Sequence, residues 1–234
     1  MKIKNHKITV TKYLTNNKTS VIIKSQNTRD KKMRCIMILE NIASIRTGVV
    51  ATRKKAGEND PVECEYNLIN LKCASPAGYL DLQYAEKLQT SEKLKQEYFT
   101  QMDDILVRLS APYTTIMVNK EEWCGFLVPS HFAIIRVDKS VAFPEYILWL
   151  LKRESTKQKI LQNISGNGAF GTINSKFFNT LQVRALPLNK QYIIGQMQML
   201  SEREQELLHK LTLQKEIYNK LIVDKIYDSV KRGN

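Results

Sequence analysis

Apolar residues recur with different spacings along the chain, and each spacing predicts an element. Between Pro61 and Leu71 they alternate with polar ones (Val62, Cys64, Tyr66, Leu68), the period of a half-buried strand. Asp103–Leu109, Thr114–Val118, Trp123–Val128 and Phe132–Val137 are short apolar runs. Turn residues such as Asn119, Gly125, Pro129 and Ser130 separate them, so they predict a β-rich middle. Leu39–Ile45 reads as a short helix or turn, and polar Lys87–Tyr98 as a loop or surface helix. Pro144 suits the first turn of a helix packed through Tyr146, Ile147, Trp149, Leu150 and Leu151, which extends to about Ile160. Ile173–Phe178 and Leu181–Leu186 return to strand, and Pro187 ends them.

The C-terminal pattern is different. From Gln191 to Val230 there is no proline and one glycine, Gly195. Apolar residues there follow at intervals of mostly three or four: Ile193, Met197, Leu200, Leu207, Leu208, Leu211, Tyr218, Leu221, Ile222 and Ile226. Glu204 and Gln214 stand as polar gaps in that series. This predicts one amphipathic helix of roughly 40 residues, or ~60 Å. A helix of that length outruns a head of ~150 residues, so its apolar stripe requires a partner. The competing expectation, a local helical hairpin, lacks an internal turn signal. The predicted fold class is α+β: a mixed, β-rich domain followed by one long, protruding, coiled-coil-like helix. The predicted divisions are a basic arm at 1–35, a domain at 39–188 and the helix at 190–231.

Composition narrows the function classes. The chain has 234 residues, 43% of them hydrophobic and 25% charged, the profile of a globular protein. Its apolar runs stop far short of the ~20 residues of a membrane span. The first 25 residues show no apolar secretory core, so the expected location is cytoplasmic. The net charge of +13 is uneven: residues 1–34 hold ten Lys/Arg and one acid, whereas residues 35–234 hold 26 and 22. Charge alone therefore argues weakly for nucleic acid. Met33 and Met37 precede the first convincing structured segment, which leaves an over-early start codon open. Cys35, Cys64, Cys73 and Cys124 lack zinc spacing and have three histidines beside them, so no metal is expected and reduced thiols are.

The order of segments resembles one known family, the specificity subunits of type I restriction–modification systems. Leu39-Glu40-Asn41-Ile42-Ala43-Ser44-Ile45-Arg46-Thr47-Gly48 resembles the opening of its target-recognition domain. Asp104 through Tyr113 resembles its central strand and turn, and Phe143 through Leu151 its proline–tyrosine–leucine helix. Gly168-Ala169 through Ile173 and Leu181 resembles its Gly-Ala loop and closing strand. Leu186-Pro187-Leu188 with Gln191-Tyr192-Ile193-Ile194 resembles the approach to its spacer helix. The likeness spans about residues 39–230. Lys190 stands where a glutamate often precedes the glutamine. The larger departure is that the family carries two recognition domains and two spacer helices in one chain, and this chain carries one of each. The resemblance implies a half-subunit that binds double-stranded DNA and reads one half of a bipartite site. It implies methyltransferase (M) subunits and a restriction/translocase (R) subunit as partners. It also implies self-pairing, or pairing with another half-subunit, through the helix. A homodimer would read a gapped palindrome. The implied role is non-catalytic.

Candidate chemistry sits in loops. A DNA reader needs Lys/Arg for phosphates and polar side chains at base edges. Arg53, Lys54 and Lys55 form the densest basic cluster outside the arm, and a solvated charge run is the ordinary alternative. Arg108 precedes the Ser110–Tyr113 turn and either reaches guanine or pairs with Asp103 or Asp104. Tyr113 and Thr114 lie on that turn, facing outward, and Asn167 in the Gly-rich loop. The DNA-binding candidates are thus Arg53, Lys54, Lys55, Arg108, Tyr113, Thr114 and Asn167. The partner-helix candidates are Ile193, Met197, Leu200, Leu207, Leu211, Tyr218, Leu221 and Ile222. Trp123 and Trp149 read as core. No catalytic residue and no cofactor is predicted. Ala111-Pro112-Tyr113 lacks the first proline of a methyltransferase turn, and Gly166-x-Gly168-x-x-Gly171 lacks a Rossmann setting. Asp60, Glu63 and Glu65, or Asp103 and Asp104, lack the lysine of a nuclease site. The alternative function is a non-catalytic interaction or regulatory protein that pairs through its helix without sequence-specific DNA binding.

Overall fold

The computed structural model describes residues 36–57, 59–165 and 171–232, and the backbone alone of 8–15 and 18–25. Within the basic arm, β1 (Ile8–Thr15) and β2 (Lys18–Ser25) pair antiparallel, with Ile8 opposite Ser25.

The head is organised by a four-stranded antiparallel sheet. Its strands are β4 (Ala43–Thr47), β9 (Phe132–Val137), β7 (Ile105–Arg108) and β8 (Thr115–Met117), in that spatial order. β7, β8 and β9 are buried on both faces, which is why they read as apolar runs and not as alternation, whereas the edge strand β4 keeps Ser44 and Thr47 exposed. Ile105, Val107, Ala133 and Ile135 point to one core, with Tyr146, Ile147, Leu150 and Leu151 of α1 (Pro144–Lys152). Leu106, Ile116, Phe132 and Ile134 point to a second core, with Ile69, Cys73, Leu80, Trp123 and Val128. A third cluster lies under the pair β5 (Cys64–Leu68) and β6 (Glu86–Thr90): Val49, Leu68, Leu88, Leu94, Phe99 and Leu127. The head closes on its own first strand. β12 (Gln182–Arg184) pairs antiparallel with β3 (Ile36–Ile38), Val183 opposite Met37. Between α1 and β12 lie α2 (Glu154–Gln162), the short pair β10 (Ile164–Ser165) and β11 (Thr172–Ile173), and α3 (Lys176–Asn179).

Several predicted elements differ. Trp123–Val128 is not a strand. Glu121–Trp123 is one 3-10 turn, and Gly125 takes φ +83°, which breaks extension and leaves Leu127 with single bridges to Leu68 and Phe99. Lys87–Tyr98 supplies β6 and a 3-10 turn at Gln96–Tyr98, because Leu88 is needed in the third cluster. Leu39–Ile45 divides into a 3-10 turn (Leu39–Asn41) and β4. The predicted helix from Pro144 breaks at Arg153, whose backbone is extended at φ −62°, ψ 141°. Ile173–Phe178 divides into β11 and α3.

The chain ends in α4 (Leu188–Arg232), one unbroken helix of 45 residues, and the hairpin alternative is not formed. Its first turns pack on α1. Gly195 permits this approach, since a Cβ there would stand 2.8 Å from Glu145 Cβ. Gln191, 4% exposed, fixes the angle: its Oε1 accepts from Phe143 N at 3.1 Å and its Nε2 donates to Leu186 O at 2.8 Å.

Further along, two glutamates on the same side of α4 tie it to the head. Glu202 pairs with Lys152. Glu206, with 7% side-chain exposure, accepts from Lys120 (2.9 Å), Arg203 (2.9 Å) and Lys210 (2.8 Å). Burial raises the Glu206 pKa, but hydrogen bonds from the three cations outweigh it and bring the carboxyl down to about 2, from an ordinary 4.5. A depressed carboxylate stabilises the fold above its unfolded value and loses that contribution as pH falls toward its folded value. Glu206→Gln should therefore cost on the order of 2–3 kcal/mol at pH 7. Urea midpoints of variant and wild type should converge as pH falls from 4.5 to 2. A constant gap across that range contradicts the clamp.

Candidate nucleic-acid interface and pairing surface

The loop after β4 folds into a 3-10 turn at Ala51–Arg53, which leaves Arg53 and Lys55 exposed. Lys54 is half-buried and pairs with Glu92. Two of the three predicted phosphate ligands are thus free, and the third is held by an acid.

Arg108 ends β7 half-buried. The predicted carboxylate pairs are not formed: Asp104 belongs to Arg136 and Asp103 to Lys139. The reason is reach: Asp104 and Arg108 lie on the same side of the strand but four residues, ~13 Å, apart, and β9's Arg136 stands beside Asp104. Arg108 instead meets only neutral acceptors, Ser110 Oγ and Leu71 O, each at 3.4 Å. Burial lowers its pKa.

The Ser110–Tyr113 turn carries a cis Ala111–Pro112 bond and Tyr113 at φ +55°. Tyr113 Oη donates to Gly171 O at 3.0 Å, and Ser110 bridges Thr172. The turn and the base of the Gly-rich loop, distant in sequence, thus form one patch. Tyr113 and Thr114 line a cleft of about 560 Å³ between the head and α4, together with Lys152, Lys157, Gln198 and Glu202. They do not stand free on a solvent-facing turn. Asn167 lies outside the described residues.

A second group of exposed cations lies outside the predicted cluster. Residues 144–190 hold seven Lys/Arg against two Asp/Glu, whereas residues 36–143 hold 12 against 14. Arg153, Lys157, Lys159, Lys176 and Arg184 are exposed, and none has an ion-pair partner among the described residues. Arg153 sits over Trp149 at 5.0 Å, and Trp149 stacks on Tyr146 at 5.7 Å. Trp123 is core, at 3% exposure, while Trp149 is only half-buried. A segment-by-segment charge count would have found these cations. A search for consecutive basic residues favours the 53–55 loop.

The helix α4 presents the opposite picture. Its inner side (Gln191, Ile194, Gly195, Met199, Glu206) faces the head. The predicted stripe faces away: Ile193, Met197, Leu200, Leu207, Leu211, Tyr218, Leu221 and Ile222 are 37–66% exposed. From Leu207 to Lys231 every side chain is exposed. So large an exposed apolar surface on one rod is the candidate pairing surface. The described residues contain no cluster of His, Cys, Asp and Glu able to hold a metal, and no helix long and apolar enough to cross a membrane.

No family model and no curated protein matches the chain. Solved structures do. The HsdS subunit from Thermoanaerobacter tengcongensis superposes with a TM-score of 0.52 at 11% identity, over 74% of this chain and 43% of that one. A chain described for complex assembly and conformational transition of the type I R-M system gives 0.51 at 14% identity, over 85% and 46%. The chain spans less than half the length of these structures. Its fold is that of the specificity subunits of type I restriction–modification systems.

Proposed function

We propose that this protein is the DNA sequence-recognition subunit of a type I restriction–modification complex, reading one half of a bipartite site. One observation carries the reading: a head of this fold is rigidly clamped to a 45-residue helix whose apolar stripe faces away from it. A rod anchored in that way holds two readers at a fixed separation once it is paired. The second rod comes from another copy or another half-subunit. The pair positions methyltransferase subunits and a restriction/translocase subunit, which supply the chemistry. The specificity role itself is non-catalytic.

Phosphate contacts come from the exposed cations Arg153, Lys157, Lys159, Lys176 and Arg184 and from Arg53 and Lys55, with Arg108 near the bases. The test is selection from a randomised duplex library, with and without the methyltransferase subunit, followed by salt titration on the selected site. Enrichment of a gapped palindrome supports the reading, and sequence-blind, salt-sensitive binding overturns it. Alanine at Arg53, Lys54 and Lys55 should lower the salt slope by about two phosphates, since Glu92 already holds Lys54. Alanine at Lys157, Lys159 and Lys176 should lower it by about three.

A further inference from the structure

The exposed stripe of α4 follows a strict four-three spacing: Ile193, Met197, Leu200, Glu204, Leu207, Leu211, Gln214, Tyr218 and Leu221. This is the a/d seam of a coiled coil, and two of its positions are polar. Glu204 and Gln214 are both exposed in the protomer. Their location restricts how two copies can meet.

We infer that two copies pair antiparallel about a two-fold axis level with His209, and that Glu204 and the partner's Gln214 lock this register. In that register every seam layer from Met197 to Leu221 pairs like with like. Met197 meets the partner's Leu221, Leu200 the partner's Tyr218, and Leu207 the partner's Leu211. Glu204 then lies opposite the partner's Gln214, whose amide donates to the carboxylate, and the symmetric pair forms on the other side of the axis. Leu208, flanking the seam, meets the partner's Leu208 across the axis, which accounts for an apolar residue beside the stripe.

The alternatives each bury a mismatch. A slide of one heptad sets Glu204 against the partner's Leu221 and Gln214 against the partner's Leu211. A slide the other way sets Glu204 against the partner's Leu207 and Gln214 against the partner's Met197. A parallel pair sets Glu204 against the partner's Glu204, two carboxylates in one layer. A polar side chain facing an apolar layer keeps its desolvation cost without a partner. Polar seam residues are a known means of fixing register at some loss of stability.

The register also fixes geometry. The hydrogen bonds and ion pairs from α4 to its head run between Gln191 and Glu206, centred about ten residues from the axis. At 1.5 Å per residue the two anchorages stand ~30 Å apart along the rods. That is close to one turn of B-DNA, the spacing at which two-fold related readers face the same side of a duplex.

The inference rests on reading α4 as a pairing helix, and its test uses no DNA, so it stands or falls separately from DNA recognition. Full-length chains carrying Leu207→Cys are mixed with chains carrying Leu211→Cys and oxidised. Mass spectrometry of the linked peptides then distinguishes these bonds from any made by Cys35, Cys64, Cys73 or Cys124. The expected product is the 207–211 link between copies. A dominant link from Leu207→Cys to Tyr218→Cys, from Leu200→Cys to Leu211→Cys, or between two copies of Leu207→Cys overturns the register, and so does a monomer at high concentration. Gln214→Lys provides an independent reading, because it places an ammonium opposite Glu204. It should tighten the dimer roughly fivefold at low salt and lose that gain at high salt. A weaker dimer at low salt overturns the pairing.

Discussion

Glutamate at both Leu207 and Leu211 should abolish self-association while the head stays folded. The two side chains are 50% and 47% exposed in the protomer, so the substitutions remove no contact from either head core. In the proposed dimer they occupy the two layers nearest the axis, and symmetry places four new carboxylates within them. A charge buried without a partner costs several kcal/mol after relaxation. Weakening of the dimer by about a thousandfold or more is expected, and sedimentation at micromolar protein should show a single protomer mass. The circular dichroism spectrum should keep its head and most of its helix, and the urea transition of the head should not move. DNA affinity should fall further than either head's own contacts explain, because paired heads bind with the effective concentration of a tethered second site. A double variant that sediments as wild type would remove helix pairing, and with it the proposed division of a bipartite site between two copies.

The second large effect lies inside the head. Asp104 is fully buried at the start of β7. Its carboxylate accepts from Arg136 Nε and Nη2, both at 2.7 Å, and from Gln101 N at 2.8 Å. Arg136 also donates to Phe99 O at 3.3 Å, so one guanidinium joins the central sheet to the third cluster. Its pKa is raised, first by the hydrogen bond to Asp104. Arg136→Met keeps the apolar stem and leaves the Asp104 carboxylate buried with only the Gln101 amide. Removing one partner of such a pair costs about 3–5 kcal/mol, which for a chain of this length lowers the melting temperature by roughly 10 °C. Asp104→Asn combined with Arg136→Met should restore part of the loss, because the buried site then carries no charge. A single-variant loss below about 1 kcal/mol in urea titration would show that the pair does not hold the sheet to its neighbour.

The two-faced burial of the central sheet bears on what local reading can detect. Ile105-Leu106-Val107 and Phe132–Ile135 have no period, since each face needs an apolar residue. They were legible as strands only through length and flanking turns. β6 was not legible in this way: Lys87–Tyr98 is dominated by charge, and only Leu88 and Leu94 enter a core. Trp123–Val128 failed for the opposite reason. Its apolar residues are core, but the φ of Gly125 makes the segment a turn that supplies side chains to two clusters. Burial was legible there and backbone conformation was not.

The candidate interface divides along similar lines. Local charge density selects Arg53, Lys54 and Lys55, yet Glu92, 38 residues away, takes Lys54 out of the set. Arg108 keeps no carboxylate because Arg136 and Lys139, from another strand and the turn after it, reach the acids first. Tyr113 meets Gly171 across 58 residues of sequence. None of these outcomes has a local signal, since each is a competition among groups that only the folded chain brings together.

By itself the sequence determined that a β-rich head precedes one uninterrupted helix, and that this helix carries a seam with polar residues at Glu204 and Gln214. Helical periodicity, the lack of proline and the four-three spacing are local properties, written every few residues. Only the tertiary structure decided which side of the helix the head occupies. Gly195, Gln191, Glu202 and Glu206 turn the inner side toward α1 and Lys120, and so leave the seam facing outward. It also decided which cations remain free to meet a polyanion. Packing against a distant element settles both, because an ion pair or a close backbone approach forms only where the fold delivers its second partner.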